Sequence, residues 1–84
     1  MSDADRIAQD LLQAFCKEFG LNEKEVDVHT PLFSRNYLDS MDLINVVNYI
    51  EKAFAIKINT LEVSLDNFDT IQGISQYIAK KISS

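Results

Sequence analysis

The side chain best placed to do chemistry in this 84-residue chain is a serine between two aspartates, in Leu38-Asp39-Ser40-Met41-Asp42. The usual catalytic partners do not gather around it. The one histidine, His29, stands beside Thr30-Pro31 in a connecting segment and reads as a loop residue without a special role. The one cysteine, Cys16, sits among Leu12, Phe15 and Phe19 and reads as a small buried residue. No His/Cys/Asp/Glu cluster has metal-ligand spacing, and no glycine-rich run could cradle a phosphate. Asp66 and Asp69 flank Phe68 at a helix start, where carboxylates normally serve as caps. With no catalytic set and no metal set, the chemistry of the chain reduces to the Ser40 hydroxyl. Taken by itself, that hydroxyl reads as an N-cap of the helix that follows it.

Three longer helices and one short one must position this serine. From about Asp3 to Phe19, Ile7, Leu11, Phe15 and Phe19 recur at helical spacing, with Ala8 and Leu12 widening the stripe. Ser2 or Asp3 can cap the start, and Gly20 can end it. Residues 21 to 38 form a long connection in which Leu32, Phe33 and Leu38 look like anchors to the core. Loops of this length in a small domain are often functional, and this one ends at Asp39-Ser40. A second helix runs from Ser40 to about Phe54. Leu43, Val46, Val47, Ile50 and Phe54 form its buried face, with Ile44 at the edge, and Asp39 and Asp42 place negative charge at its positive end. Ile56-Lys57-Ile58 reads as a packed connector, and Thr60 to Leu65 as one short helical turn. The last helix opens at Asp69-Thr70-Ile71-Gln72, a capping-box arrangement, and buries Ile71, Ile74, Ile78 and Ile82 with Tyr77 beside them. The expected fold is all-α: a four-helix bundle of three main helices and one short one, a long loop after helix 1, and the second and last helices facing each other. Residues 1–84 make a single domain.

Composition narrows the function classes further. Thirteen acidic residues against eight basic ones give a net charge of −5. Nucleic acid needs a dense Lys/Arg surface, and here only Lys80 and Lys81 are adjacent. A domain this small buries about 60% of its unfolded surface, which leaves little material for an enzyme cleft. One cysteine permits no internal disulfide, no apolar run approaches the roughly 20 residues that span a bilayer, and Met-Ser-Asp-Ala-Asp-Arg is too polar for a secretory signal. The expectation is a cytoplasmic monomer that is not an enzyme.

From Leu38 onward the chain resembles the acyl carrier protein family, the phosphopantetheine-binding carriers. The family's signature is Asp-Ser-Leu at the start of the second helix. Here it reads Asp39-Ser40-Met41, methionine replacing leucine with similar volume, and D-alanine carriers also show Asp-Ser-Met. The similarity runs through Glu51, Phe54 and Ile58, resumes at Asp69-Thr70-Ile71 through Tyr77-Ile78, and covers essentially the whole chain. The resemblance implies that a phosphopantetheinyl transferase moves a 4'-phosphopantetheine arm from coenzyme A to Ser40. Asp39 would match the family residue that helps place magnesium during modification. A phosphodiester on Ser40 would lie at a helix N-terminus, where free N–H groups and the dipole favour an anion.

In the family, cargo rides on the arm as a thioester and partner enzymes read the second helix, whose exposed side here would be Met41, Asp42, Asn45, Asn48, Tyr49 and Lys52. Those partners would include an acyl- or aminoacyl-loading enzyme and downstream transferases. Two asparagines and a lysine make this face less acidic than that of fatty-acid-synthesis carriers, pointing to a specialised lipid, polyketide or envelope pathway. Val47, Ile50, Phe54, Phe68 and Ile71 could shelter an acyl chain, or simply form the core. Two alternatives stay open: an aminoacyl (D-alanyl or peptidyl) carrier, and a carrier-like adaptor that binds protein partners without an arm.

Overall fold

The computed structural model describes residues 3–83. Among them every regular element is helical: α1 (Asp3–Phe19), α2 (Ser40–Phe54), a 3-10 turn (Thr60–Glu62), α3 (Leu65–Phe68) and α4 (Ile71–Ser83). This is the expected bundle. Ser2, one of the two residues expected to cap α1, lies outside the described residues.

The apolar spacing of α1 buries Ala8, Leu11, Phe15 and Cys16, with Ile7, Leu12 and Phe19 packed at the margin. Gly20 then takes a left-handed backbone (φ 70°), and the Leu21 N–H donates to the Cys16 carbonyl at 3.0 Å. That is a Schellman ending, which glycine permits without a Cβ clash. In α4, Ile71, Ile74 and Ile78 are fully buried. Ile82 is not: it is 54% exposed, because the last turn of α4 extends beyond the core.

The closest backbone approach is between α1 and α4 and between α3 and α4, rather than between the second and last helices as the spacing suggested. Val46 and Ile50 of α2 still reach the common core, both fully buried. The segment expected to hold one short turn holds two pieces. The 3-10 turn is tied to α4 by the Tyr77 hydroxyl, which donates to Glu62 Oε1 at 3.0 Å, and by Lys81 Nζ at 3.2 Å from the same oxygen. α3 buries Phe68 against Tyr77, with ring centroids 5.3 Å apart.

Gly73 lets α3 and α4 meet. A Cβ on it would stand 2.8 Å from the Asn67 carbonyl oxygen and 3.1 Å from Thr70 Oγ1. Gly73→Ala is therefore expected to destabilise the protein by about 1–3 kcal/mol through overpacking, despite alanine's better helix propensity. Urea unfolding checks this. A Gly73→Ala protein as stable as the parent would contradict the close approach.

Candidate functional site

The long loop is not loose. Asx and hydroxyl contacts shape its middle: the Asp27 carboxylate accepts from the His29 N–H at 2.8 Å and from the Thr30 hydroxyl at 3.1 Å. These bonds, that from His29 foremost, hold the Asp27 carboxyl below its ordinary value. Val26, Leu32, Phe33 and Leu38 are buried, so the expected anchors hold. The Gln72 N–H donates to the Val28 carbonyl at 2.9 Å, and the Leu32 N–H to the Asp69 carbonyl at 2.7 Å.

The Asp69 carboxylate grips the loop directly. It accepts from the N–H groups of Phe33 (2.9 Å) and Ser34 (3.0 Å) and from the Ser34 hydroxyl. Burial pushes its pKa up, but the bonds from Ser34 and Phe33 outweigh this and leave it below the ordinary carboxylate value. Asp69 is therefore not the cap of α4. That role falls to Thr70, whose Oγ1 accepts from the Gly73 N–H at 3.0 Å. A side chain that answers to residues 35 and 36 positions away leaves no local pattern in the sequence.

The loop closes on itself where the Leu38 N–H donates to the Leu32 carbonyl at 3.0 Å. With Leu38 buried, the next two residues are delivered to the surface at the mouth of α2. Asp39, not Ser40, is the N-cap. Its Oδ1 accepts from the Asp42 N–H at 3.0 Å, and Asp42 Oδ2 accepts from the Asp39 N–H at 3.1 Å, completing a capping box. The Ser40 reading as cap is thus corrected by one position: two adjacent residues could each accept the bond, and aspartate takes it.

The consequence for Ser40 is chemical. It is the first residue of α2, exposed, and among the described residues its hydroxyl has no hydrogen-bond partner. The N–H groups of Ser40 and Met41 belong to the first turn, where no helical carbonyl precedes them. An oxygen so placed can accept a bulky phosphoryl group without disturbing the cap. The negative ester would meet the positive end of the helix, worth about 0.3–1 kcal/mol at an exposed position.

The residues expected to face partners divide. Met41 is 72% exposed, and Asn45, Asn48 and Lys52 are exposed. Asp42 is half-buried in its capping box. Tyr49 departs from the expected exposed face: it is half-buried, its ring edge-on to Phe15 at 5.9 Å. Residues 46, 49 and 50 share one arc of a helix, and Val46 and Ile50 point into the core. Ile44 was placed at the edge of the buried stripe and instead is 61% exposed. Ile44 lines a groove of about 320 Å³ together with Leu43, Val47, Asn48, Glu51, Ile58 and Val63, a feature that no single segment of sequence displays. Ile50, Phe68 and Ile71, expected to line a shelter for cargo, are fully buried in the core, whereas Val47 lines the open groove.

Elsewhere the chemistry is quiet. Burial, with Glu23 adding to it, pushes the Cys16 thiol up, away from a reactive thiolate. Among the described residues no three His, Cys, Asp or Glu side chains converge to hold a cation, and no helix is long and apolar enough to cross a membrane.

Comparison with known proteins adds a family match and a relative. Residues 9–78 match the family described as the phosphopantetheine attachment site. The chain is 26% identical over 82 residues to the acyl carrier protein of Thermotoga maritima, covering 98% of this chain and 99% of that one.

Proposed function

The chain belongs to the phosphopantetheine attachment-site family of carrier proteins, and from that premise we propose that Ser40 is its attachment residue and that the cargo is an acyl group. The observation that carries this reading is the exposed Ser40 hydroxyl at the first position of α2, left unengaged because Asp39 forms the cap. Ser40 Oγ would form a bond to the pantetheine-bearing phosphorus of coenzyme A and give its proton to a base of the modifying enzyme, while the pyrophosphate P–O bond breaks and adenosine 3',5'-bisphosphate leaves. A phosphopantetheinyl transferase performs this step, with the Asp39 carboxylate helping to place magnesium. When attached, the arm supplies a thiol that holds cargo as a thioester. The chain's own part is to present that arm at a fixed helix mouth, and the catalysis belongs to its partners.

Similarity to the Thermotoga maritima acyl carrier protein along nearly the full length of both chains supports the acyl reading over the aminoacyl one. The asparagines and lysine on α2 favour a specialised lipid, polyketide or envelope pathway. We place this carrier domain in the cytoplasm, acting as a monomer.

Loading tests this. The holo protein is offered to adenylating enzymes with fatty acids and with amino acids, and thioester formation is read by intact mass. Acyl loading is expected. Exclusive loading of an amino acid would remove the acyl reading, and a protein that no transferase modifies but that retains a defined partner would make it an adaptor.

A further inference from the structure

Residues 32–38 form a closed ring ahead of the reacting serine. The Leu38 N–H donates to the Leu32 carbonyl at 3.0 Å, so the chain leaves the ring beside the point where it entered. Smaller turns brace it, from the Arg35 N–H to the Pro31 carbonyl at 3.2 Å and from the Asn36 N–H to the Phe33 carbonyl at 3.1 Å. Leu32 and Leu38 are both buried, which roots the ring in the core. The residue after its exit, Asp39, caps α2, and Ser40 follows.

The start of α4 holds this ring at its entry. The Asp69 carbonyl accepts from the Leu32 N–H at 2.7 Å, and the Asp69 carboxylate accepts from Phe33 and Ser34. Just upstream, the Gln72 N–H reaches the Val28 carbonyl at 2.9 Å. The other helices hold α2 less firmly: it approaches none of them as closely as α1 and α3 approach α4. Its far end is tied by the Glu51 carboxylate, which accepts from the Ile58 N–H at 2.8 Å. Its near end is tied by the ring. A displacement of residues 33 and 34 therefore passes through Leu32 and Leu38 to the cap and to Ser40.

We propose that Asp69 is a positioning residue for arm transfer: by clamping Phe33 and Ser34 it keeps the mouth of α2 in the arrangement that the modifying enzyme binds. The proposal rests on Ser40 as the attachment residue. Asp69 acts through the ring and takes no part in bond making. Without the clamp the ring samples other arrangements, and apparent affinity falls with the fraction of molecules in the competent one. Once the carrier is bound, ground state and transition state carry that cost equally, so KM rises and kcat is spared.

The test measures arm transfer from saturating coenzyme A by the host cell's own phosphopantetheinyl transferase. The carrier concentration is varied and the product read by mass, at a temperature where circular dichroism shows each variant folded. Asp69→Ala should raise KM for the carrier about fivefold or more, with kcat within about twofold of the parent. Asp69→Ser, whose hydroxyl stops short of where the carboxylate oxygens lie, should do the same and serves if alanine does not fold. Asp69→Asn keeps an oxygen for the N–H groups of Phe33 and Ser34 and should bring KM back to within about twofold. Tyr77→Phe removes a bond of α4 that does not reach the ring and should leave KM unchanged. A parent-like KM in Asp69→Ala or Asp69→Ser, a loss confined to kcat, or an equal rise in Tyr77→Phe overturns the proposal. Exhaustive treatment with a broad-specificity transferase keeps the two assignments apart. An arm absent from Ser40 of the parent there sinks the Ser40 assignment, whereas an arm present with Asp69→Ala kinetically identical to the parent sinks only the clamp.

Discussion

Ser40→Ala is expected to abolish attachment of the arm while leaving stability within about 0.5 kcal/mol of the parent. The two halves of that result come from one structural fact. Asp39, not Ser40, accepts the Asp42 N–H at 3.0 Å, so the serine hydroxyl is dispensable to the helix, and alanine is at least as good a helix former. The neighbouring substitutions should behave in the opposite sense. Asp39→Ala removes the cap and should cost about 1 kcal/mol. Asp39→Asn retains an acceptor of equal capping strength and should keep the stability, yet slow arm transfer about tenfold or more if the carboxylate helps to place magnesium. Urea unfolding and intact mass on the three variants separate fold from chemistry. A Ser40→Ala protein that still gains the arm, or that loses more than about 1 kcal/mol, is incompatible with the assignments of Ser40 and Asp39.

The second large effect belongs to Asp69, which lies 29 positions beyond Ser40 in the chain yet fixes the loop that leads to it. Asp69→Ala removes three hydrogen bonds to Phe33 and Ser34 at once. A loss of about 2 kcal/mol is expected, a figure taken from unsatisfied donors and already reduced for a group that water partly reaches. The N–H groups of Phe33 and Ser34 should exchange with solvent faster. The pH dependence follows from the sign of the shift. Burial raises the Asp69 pKa, the bonds from Ser34 and Phe33 lower it, and the net value in the folded protein lies below the ordinary one. The contribution is therefore complete above the unfolded value of about 3.9 and is lost as pH falls through the folded value. Asp27 and Glu62 are shifted in the same direction and also steepen the acid limb. The informative quantity is accordingly the difference between parent and Asp69→Asn in urea midpoints from about pH 7 to about pH 3. That difference should be flat near neutrality and shrink in acid. A difference constant down to the lowest pH would contradict the role given to the charge.

These two residues also mark where the sequence was legible and where it was not. Ile7, Leu11 and Phe15 announce α1 through their spacing, and Ile71, Ile74 and Ile78 announce α4, because the partner of each position lies on the same short stretch. Leu32, Phe33 and Leu38 could be picked out as anchors by their apolar side chains alone. Asp69 could not be read correctly, since a capping pattern and a clamp on a distant loop place the same residue type at the same spot. Ser40 and Asp39 differ by one position, and either side chain can cap, so only the backbone geometry assigns the hydroxyl its freedom. Ile44 and Tyr49 exchanged their expected environments because exposure around α2 depends on which neighbours pack there, and Phe15 comes from another helix. Ile82 fits the stripe of α4 but lies beyond the end of the core it was expected to join. Local chemistry, such as the serine and its flanking aspartates, survived the step from chain to structure. Relations between distant segments emerged only from the fold.

The central claim concerns one oxygen atom, and peptide-level mass spectrometry of the protein purified from its own cells reaches it most directly. The fragment containing residues 38–42 should carry one phosphopantetheine, with the modification on Ser40 and no other residue. A folded protein whose Ser40 fragment is unmodified, even after exhaustive treatment with coenzyme A and a broad-specificity transferase, would contradict it.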